Sequence, residues 1–404
     1  MSYIQLKIKI KNVLRGCAMN HCYRLVFNFA TYAWQAVAET AKSHTKSGGK
    51  SAAVVLLPIL ILGISNVSAE PAANALPTGG QVVSGQSIIT QNGNLLNIQQ
   101  TTQKSIINWT TFNIGASSHV NYDQLNTSSI SLNRVLSADP STIFGKLTSN
   151  GQIWLINPNG ILFGQSAQVN VGGLLASTLN IADDDFLSGN YKFTGSTGSV
   201  INMGSLVANN GGYVAMLASE VLNEGVISAL QGTSVLAAGD AITLDFNGNG
   251  LINVQVDSAN INTLIENKNL IKVGNGQVLM STRAADGLIT SVGLITSVIN
   301  NSGRIEADSM VSGGGVVRLM GAKTVIHSAE ISAQSLAGKG GIVHILSENF
   351  AVMDAGSINA NGKTGGGTIL IGGNIRGLVS GDLQGKNPIM QNANKTFRAV
   401  LDNT

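Results

Sequence analysis

Read along the chain, apolar and polar residues alternate in short bursts that end in glycine, and in the carboxyl-terminal third the bursts repeat. Gly314-Gly315-Val316-Val317-Arg318-Leu319 returns as Gly340-Gly341-Ile342-Val343-His344-Ile345 and again as Gly366-Gly367-Thr368-Ile369-Leu370-Ile371, each time 26 residues on. A second phrase, Ile305-Glu306-Ala307, returns as Ile331-Ser332-Ala333 and Ile358-Asn359-Ala360. Alternation of period two predicts strands, with Val317, Val343 and Ile369 in one inward column and Leu319, Ile345 and Ile371 in the next. Arg318, His344 and Leu370 then face outward.

Two strands are visible in each repeat, and about 26 residues leave room for a third with its turns. That is the layout of a solenoid whose coils hydrogen-bond to one another around a shared core, a parallel β-helix. Looser copies at Gly212-Tyr213-Val214, Gly225-Val226-Ile227 and Gly276-Gln277-Val278 extend it upstream. The expectation is roughly a dozen coils in a rod about 60 Å long, uninterrupted by a second domain. Asparagine-rich turns suit it, because asparagine tolerates left-handed geometry and stacks into amide ladders from coil to coil.

Composition agrees. Of 404 residues only 11% are charged, 48 are glycine, 6 are proline and 5% are aromatic, while 44% are hydrophobic; long helices with charged outer faces are a poor fit. The net charge of +3 is misleading. Eight basic residues and only Glu39 among the acids lie in residues 1–69, so the body carries 16 basic against 20 acidic residues and a net charge near −4. With no basic run, neither a nucleic-acid groove nor a membrane-surface patch is expected.

The amino terminus reads as an export signal. Ala52-Ala53-Val54-Val55-Leu56-Leu57-Pro58-Ile59-Leu60-Ile61-Leu62 is too short to span a bilayer, follows Lys42, Lys46 and Lys50, and precedes Val67-Ser68-Ala69. Small residues at that spacing place signal cleavage after Ala69, with Ala73 second. A further charged and apolar alternation begins at Met19 and runs through Arg24, Trp34 and Val37 to Glu39, which makes Met19 a candidate true start. Both cysteines, Cys17 and Cys22, lie in this leader, so the body from residue 70 has no thiol and cannot form a disulfide.

The densest motif lies between residues 130 and 165. Ile130-Ser131-Leu132-Asn133-Arg134-Val135 is followed by Pro140-Ser141-Thr142-Ile143-Phe144-Gly145 and by Gly151-Gln152-Ile153-Trp154-Leu155-Ile156-Asn157-Pro158-Asn159-Gly160-Ile161. Asn157-Pro158-Asn159-Gly160 is a β-turn in which proline fixes φ at the second position and glycine closes the turn. This block and the doubled leader resemble the filamentous haemagglutinin family, the exoproteins of two-partner secretion systems, from about Leu76 to Gly321.

The resemblance implies a right-handed parallel β-helix with an amino-terminal cap: an extended signal peptide over 1–69, a secretion domain over 70–321, and further, truncated coils over 322–404. It implies passage by the inner-membrane secretion machinery into the periplasm of a Gram-negative cell. There the periplasmic transport-associated domains of a cognate outer-membrane β-barrel transporter receive the chain, which ends secreted or on the cell surface. Asn157, Pro158, Asn159, Gly160 and Ile161, with Asn133 and Arg134, fall on the family's motif positions; the first five either contact the transporter or set a turn the fold needs, and Arg134 reads more readily as a solvated or capping side chain than as a contact. The Asn-Pro-Asn-Leu turn of some members is absent. The implied work outside is adhesion or haemagglutination on a host surface or other bacteria, and the alternative is haem or haemopexin capture or a truncated contact-dependent toxin.

A polysaccharide-degrading enzyme on the same scaffold would need clustered carboxylates with a basic partner. The one acidic run, Asp183-Asp184-Asp185, reads as a solvated loop, and His119, His327 and His344 lack metal-ligand spacing. No catalytic residue, metal or cofactor is expected.

Overall fold

A computed structural model describes residues 23–28, 33–38 and 70–372, apart from 196–197, 248–250, 259–261, 283–296, 312, 323, 348–349 and 354–355. The apolar signal segment, the cleavage site expected at Ala69 and the segment after residue 372 lie outside the described residues. In the leader, Tyr23–Asn28 and Ala33–Ala38 form an antiparallel hairpin, with Tyr23 opposite Ala38.

From residue 70 the chain is a right-handed parallel β-helix with three faces. Sheet I begins at Ser87–Asn92 and Leu95–Gln100 and ends at Ser357–Asn359; sheet II begins at Gln81–Ser84 and Lys104–Trp109 and ends at Thr368–Gly372. Among the described residues each has eleven strands, and sheet III, from Ser141–Ile143 to Phe350–Met353, has eight. The outermost strand of sheets I and II at the amino end pairs antiparallel with its neighbour, and these two strands cap the solenoid. Inward residues of all three sheets merge in one continuous apolar core, from Leu96 and Ile98 to Val343 and Ile345.

The expected columns are present: Val317 pairs with Val343 and Val343 with Ile369, while Ile305, Ile331 and Ile358 stack in sheet I. The period of 26, however, is not general. Ser131 to Ile153 is 22 residues, Ile153 to Leu174 is 21 and Val214 to Ser234 is 20. Other coils are far longer, 40 residues from Leu174 to Val214 and 44 from Ser234 to Val278. Among the described residues sheet II has ten parallel strands, spanning about 45 Å at the usual interstrand spacing.

The long coils carry insertions, against the expectation of an uninterrupted rod. The first holds helix α1 (Asp183–Ser188) and the strand Lys192–Thr194; the second holds the hairpin Ala241–Asn247 and Leu251–Ser258. Phe193 pairs opposite Ile242, joining the two insertions in one antiparallel sheet. It covers the outer face of sheet II and seals a second apolar core of Ile106, Leu132, Trp154, Leu175, Phe186, Phe193, Tyr213, Val235, Ile252 and Val256. Sheet II in these coils is thus buried on both faces, which is why Gly173–Ser177, Tyr213–Ala218 and Thr233–Ala238 are buried at every position.

Candidate functional site

The motif residues sit at one corner of the solenoid, where sheet II turns into sheet III. The strand Gln152–Ile156 ends, four residues turn, and Ile161–Phe163 begins. The Gly160 amide donates to the Asn157 carbonyl at 3.1 Å, closing the β-turn. Gly160 has φ of +119°, a value that disfavours any side chain there.

Asn157 is fully buried and uses its whole amide. Its Oδ1 accepts from the Asn159 amide at 3.0 Å, while its Nδ2 donates to the Asp139 carbonyl and to Ser141 Oγ, both at 3.0 Å. Asn159 Nδ2 donates to the Ser137 carbonyl at 3.0 Å. The turn is therefore bonded to the preceding coil. The following coil packs on it so closely that a Cβ on Gly198 would lie 2.7 Å from the Gly160 nitrogen. Gly160 and Ile161 are buried, Pro158 is half-buried and only Asn159 is exposed.

Asn133 is an inward position of sheet II, in register between Ile107 and Leu155, and is fully buried. An amide in that column survives because every group is paired. Its Oδ1 accepts from Trp109 Nε1 at 2.9 Å and from the Tyr122 hydroxyl at 2.6 Å; its Nδ2 donates to the Ser131 carbonyl at 3.1 Å. Burial raises the Tyr122 phenol well above its ordinary pKa, so the hydroxyl remains a donor.

Arg134 faces the opposite way, into the insertion. Its Nη2 donates to Asp183 Oδ1 and to the Ile181 carbonyl, each at 2.8 Å, and its Nε to Asn180 Oδ1 at 3.0 Å. With 13% of its side chain exposed, it is a clamp on the start of α1 rather than a solvated group. Lys104, one coil earlier, holds the other end of the helix: its Nζ donates to the Phe186 and Leu187 carbonyls at 2.7 and 3.0 Å. Burial lowers its pKa.

The run Asp183-Asp184-Asp185 is thus not a loop. It forms the first turn of α1, where carboxylates complement the helix dipole, and Gly189 closes the helix in the left-handed region. Trp154, inside the motif block but unassigned from sequence, is the centre of the second core. Its ring lies 4.8 Å from Tyr191, 5.4 Å from Phe186, 5.8 Å from Phe193 and 6.0 Å from Phe246. Its Nε1 donates to the Tyr213 hydroxyl at 2.6 Å, which donates in turn to Gln152 Oε1 at 2.7 Å. Replacing Arg134 with Ala is expected to cost about 1–3 kcal/mol, the worth of charge-assisted hydrogen bonds, and to free α1 first. Faster amide exchange over residues 180–194, with unchanged exchange over residues 316–347, checks this.

Among the described residues no group of His, Cys, Asp and Glu is placed to hold a metal ion. His119 bonds to Thr148 Oγ1 at 2.7 Å, and His344 faces outward beside Arg318. His327 is different: it is fully buried and ends a ladder of amides in sheet III. Asn202 Nδ2 donates to Asn223 Oδ1, Asn223 to Asn267 and Asn267 to Asn301, at 2.8, 2.8 and 2.7 Å; Asn301 Nδ2 meets His327 Nδ1 at 2.9 Å.

Comparison with known proteins gives this corner its context. The TPS secretion domain model matches residues 73–319, and the Extended Signal Peptide of Type V secretion system matches residues 19–65, beginning at Met19. The fold is similar to that of the HMW1 secretion domain from Haemophilus influenzae, with a TM-score of 0.67 and 31% identity over 77% of this chain and 80% of that one. Two heme/hemopexin-binding proteins from the same species are 32% identical over 232 residues and 34% identical over 143. The matched regions are 54% and 35% of this chain but only 25% and 15% of those proteins, so the chain spans about a quarter of the length of the first. Secretion domains of this kind are structural and transport modules rather than catalytic ones, and with the extended signal peptide they place the protein outside the cell by way of the periplasm. With its capped solenoid, doubled leader and secretion domain over residues 73–319, the chain belongs to the two-partner secretion family.

Proposed function

We propose that the chain is an exoprotein delivered through a cognate outer-membrane β-barrel transporter, and that its work outside is haem or haemopexin capture rather than adhesion. The family match over residues 73–319 carries the export half. The capture half is supported by the two curated relatives named for heme/hemopexin binding.

Asn133, Asn157, Gly160 and Ile161 are buried, so in this reading they serve export through the fold that forms outside, with Arg134 fastening the insertion to it. Contact with the transporter falls instead to the cap. From Pro71 to Gln103 the chain has no charged residue, and the outermost strands expose Val83 at 48% and Ile88 at 59%. Uncharged edge strands without gatekeeping lysine or proline are built to accept another strand.

Deleting the cognate transporter gene is expected to reduce the protein in the medium more than tenfold, with precursor or its degradation products inside the cell; undiminished release would refute the export half. The capture half is tested on the secreted chain with immobilised haem–haemopexin beside erythrocyte agglutination. Retention on the column supports it, and agglutination without retention returns the reading to adhesion.

A further inference from the structure

Between sheets I and II the corners of the last three coils are longer than those at the centre of the solenoid. Upstream, residues 209–212 and 230–232 make short corners; downstream, residues 307–315, 333–341 and 360–367 replace them. These longer loops pair with one another. Parallel bridges join Ser309 to Ser335, Ser335 to Gly362 and Lys339 to Gly365. The Leu336 amide donates to the Ser309 carbonyl at 3.0 Å, and the Lys363 amide to the Ser335 carbonyl at 3.1 Å. A narrow fin results, running along the solenoid.

The bridge register brings the residues that follow it into line, Met310 with Leu336 and Lys363, and Val311 with Ala337 and Thr364. Met310 is 77% exposed, Val311 60% and Leu336 62%, while Ala337, Lys339 and Lys363 are also exposed. The carboxylate at the base, Asp308, accepts from Ser332 Oγ at 2.5 Å and from the Gln334 amide at 2.8 Å and is tied into the loop. An apolar tip thus stands beside two lysines whose alkyl stems can lie along it.

We propose that the fin is a membrane-contacting edge that sets Met310, Val311 and Leu336 into an anionic lipid surface while Lys339 and Lys363 meet its headgroups. Charge decides the occupant. A second copy docking by two-fold symmetry would bring its own lysines against these, which opposes self-association, whereas an anionic interface accepts both the apolar and the cationic groups. The sequence hides such a site because Lys339 and Lys363 are far apart in the chain and form no basic run.

The test uses the full secreted chain in co-sedimentation with phosphatidylcholine vesicles, with and without phosphatidylglycerol. Binding is expected on vesicles containing phosphatidylglycerol, weakening as salt is added. The triple change Met310→Ser, Val311→Ser and Leu336→Ser abolishes it, and Lys339→Gln or Lys363→Gln each weakens it about fivefold. All five positions are exposed, and an unchanged far-UV spectrum checks that the variants fold. Absence of wild-type binding, undiminished binding by the triple variant, or equal binding to both vesicles would overturn the proposal. So would a concentration-dependent dimer that the triple variant abolishes while lipid binding is absent.

Discussion

Replacing Trp154 with Ala is expected to destabilise the amino-terminal coils by about 3–5 kcal/mol, the usual range for deleting a buried tryptophan. The indole is fully buried among four aromatic rings contributed by the insertions. Its removal leaves a cavity between sheet II and the covering sheet and takes the hydrogen bond from the Tyr213 hydroxyl. Arg134 and Lys104 still hold α1 and the rest of the second core remains, so the damage is confined to the insertions that pack on the ring. Limited proteolysis of the variant should cut first in residues 180–194 and 240–258, with the coils from Val316 onward still resistant. Trp154→Phe keeps an aromatic body and loses the Nε1 donor, and should cost about 1–2 kcal/mol. Equal protease resistance of Trp154→Ala and the unaltered protein would show that the insertions are held by something other than this ring.

The contrast between the two halves of the solenoid explains what the sequence made legible. In the carboxyl-terminal third the corners are nearly constant in length, so Val317, Val343 and Ile369 recur at equal offsets and the strands can be read directly. Near Trp154 the same stacking obeys the same geometry, yet coil lengths of 20 to 44 residues erase the period. Parallel pairing fixes only which residues stack; it leaves the corner free to absorb a helix or a hairpin.

The candidate site was legible as a turn and not as a set of partners. Asn157-Pro158-Asn159-Gly160 announces its geometry locally, and the structure places that turn where the motif predicts. The partners of Arg134 lie 46 to 49 residues away in an inserted segment, and no local rule connects them. Asp183-Asp184-Asp185 reads as a solvated loop because no second acidic cluster stands at coil spacing. In a helix of six residues they occupy the first turn, where they are favourable. The asparagine ladder was expected in kind but not in place, since residues 202, 223, 267 and 301 are unequally spaced in sequence and meet only in register.

That ladder sets the second large effect. Asn267 lies at its middle, and Asn267→Ala is expected to cost about 2–5 kcal/mol, because it orphans a donor on Asn223 and an acceptor on Asn301 inside the core. The direction of donation also fixes the histidine at its end. Asn301 Nδ2 can only donate, so His327 Nδ1 accepts and Nε2 carries the proton, facing the Ser357 carbonyl at 3.3 Å. Adding a proton at Nδ1 would set two donors against each other, and burial independently lowers the His327 pKa below its ordinary value near 6.5. The unfolded chain therefore binds this proton more readily than the folded one. Stability is full above about pH 6.5 and declines as pH falls toward the folded pKa, by at most about 1.4 kcal/mol per pH unit. His327→Asn retains an acceptor and a donor in the ladder and removes the titration. Its guanidinium unfolding midpoint should match that of the unaltered protein near pH 7.5 and exceed it near pH 5. His119 and His344 titrate alike in both proteins, so the difference isolates His327; parallel pH profiles would mean that the ladder does not end in the tautomer described.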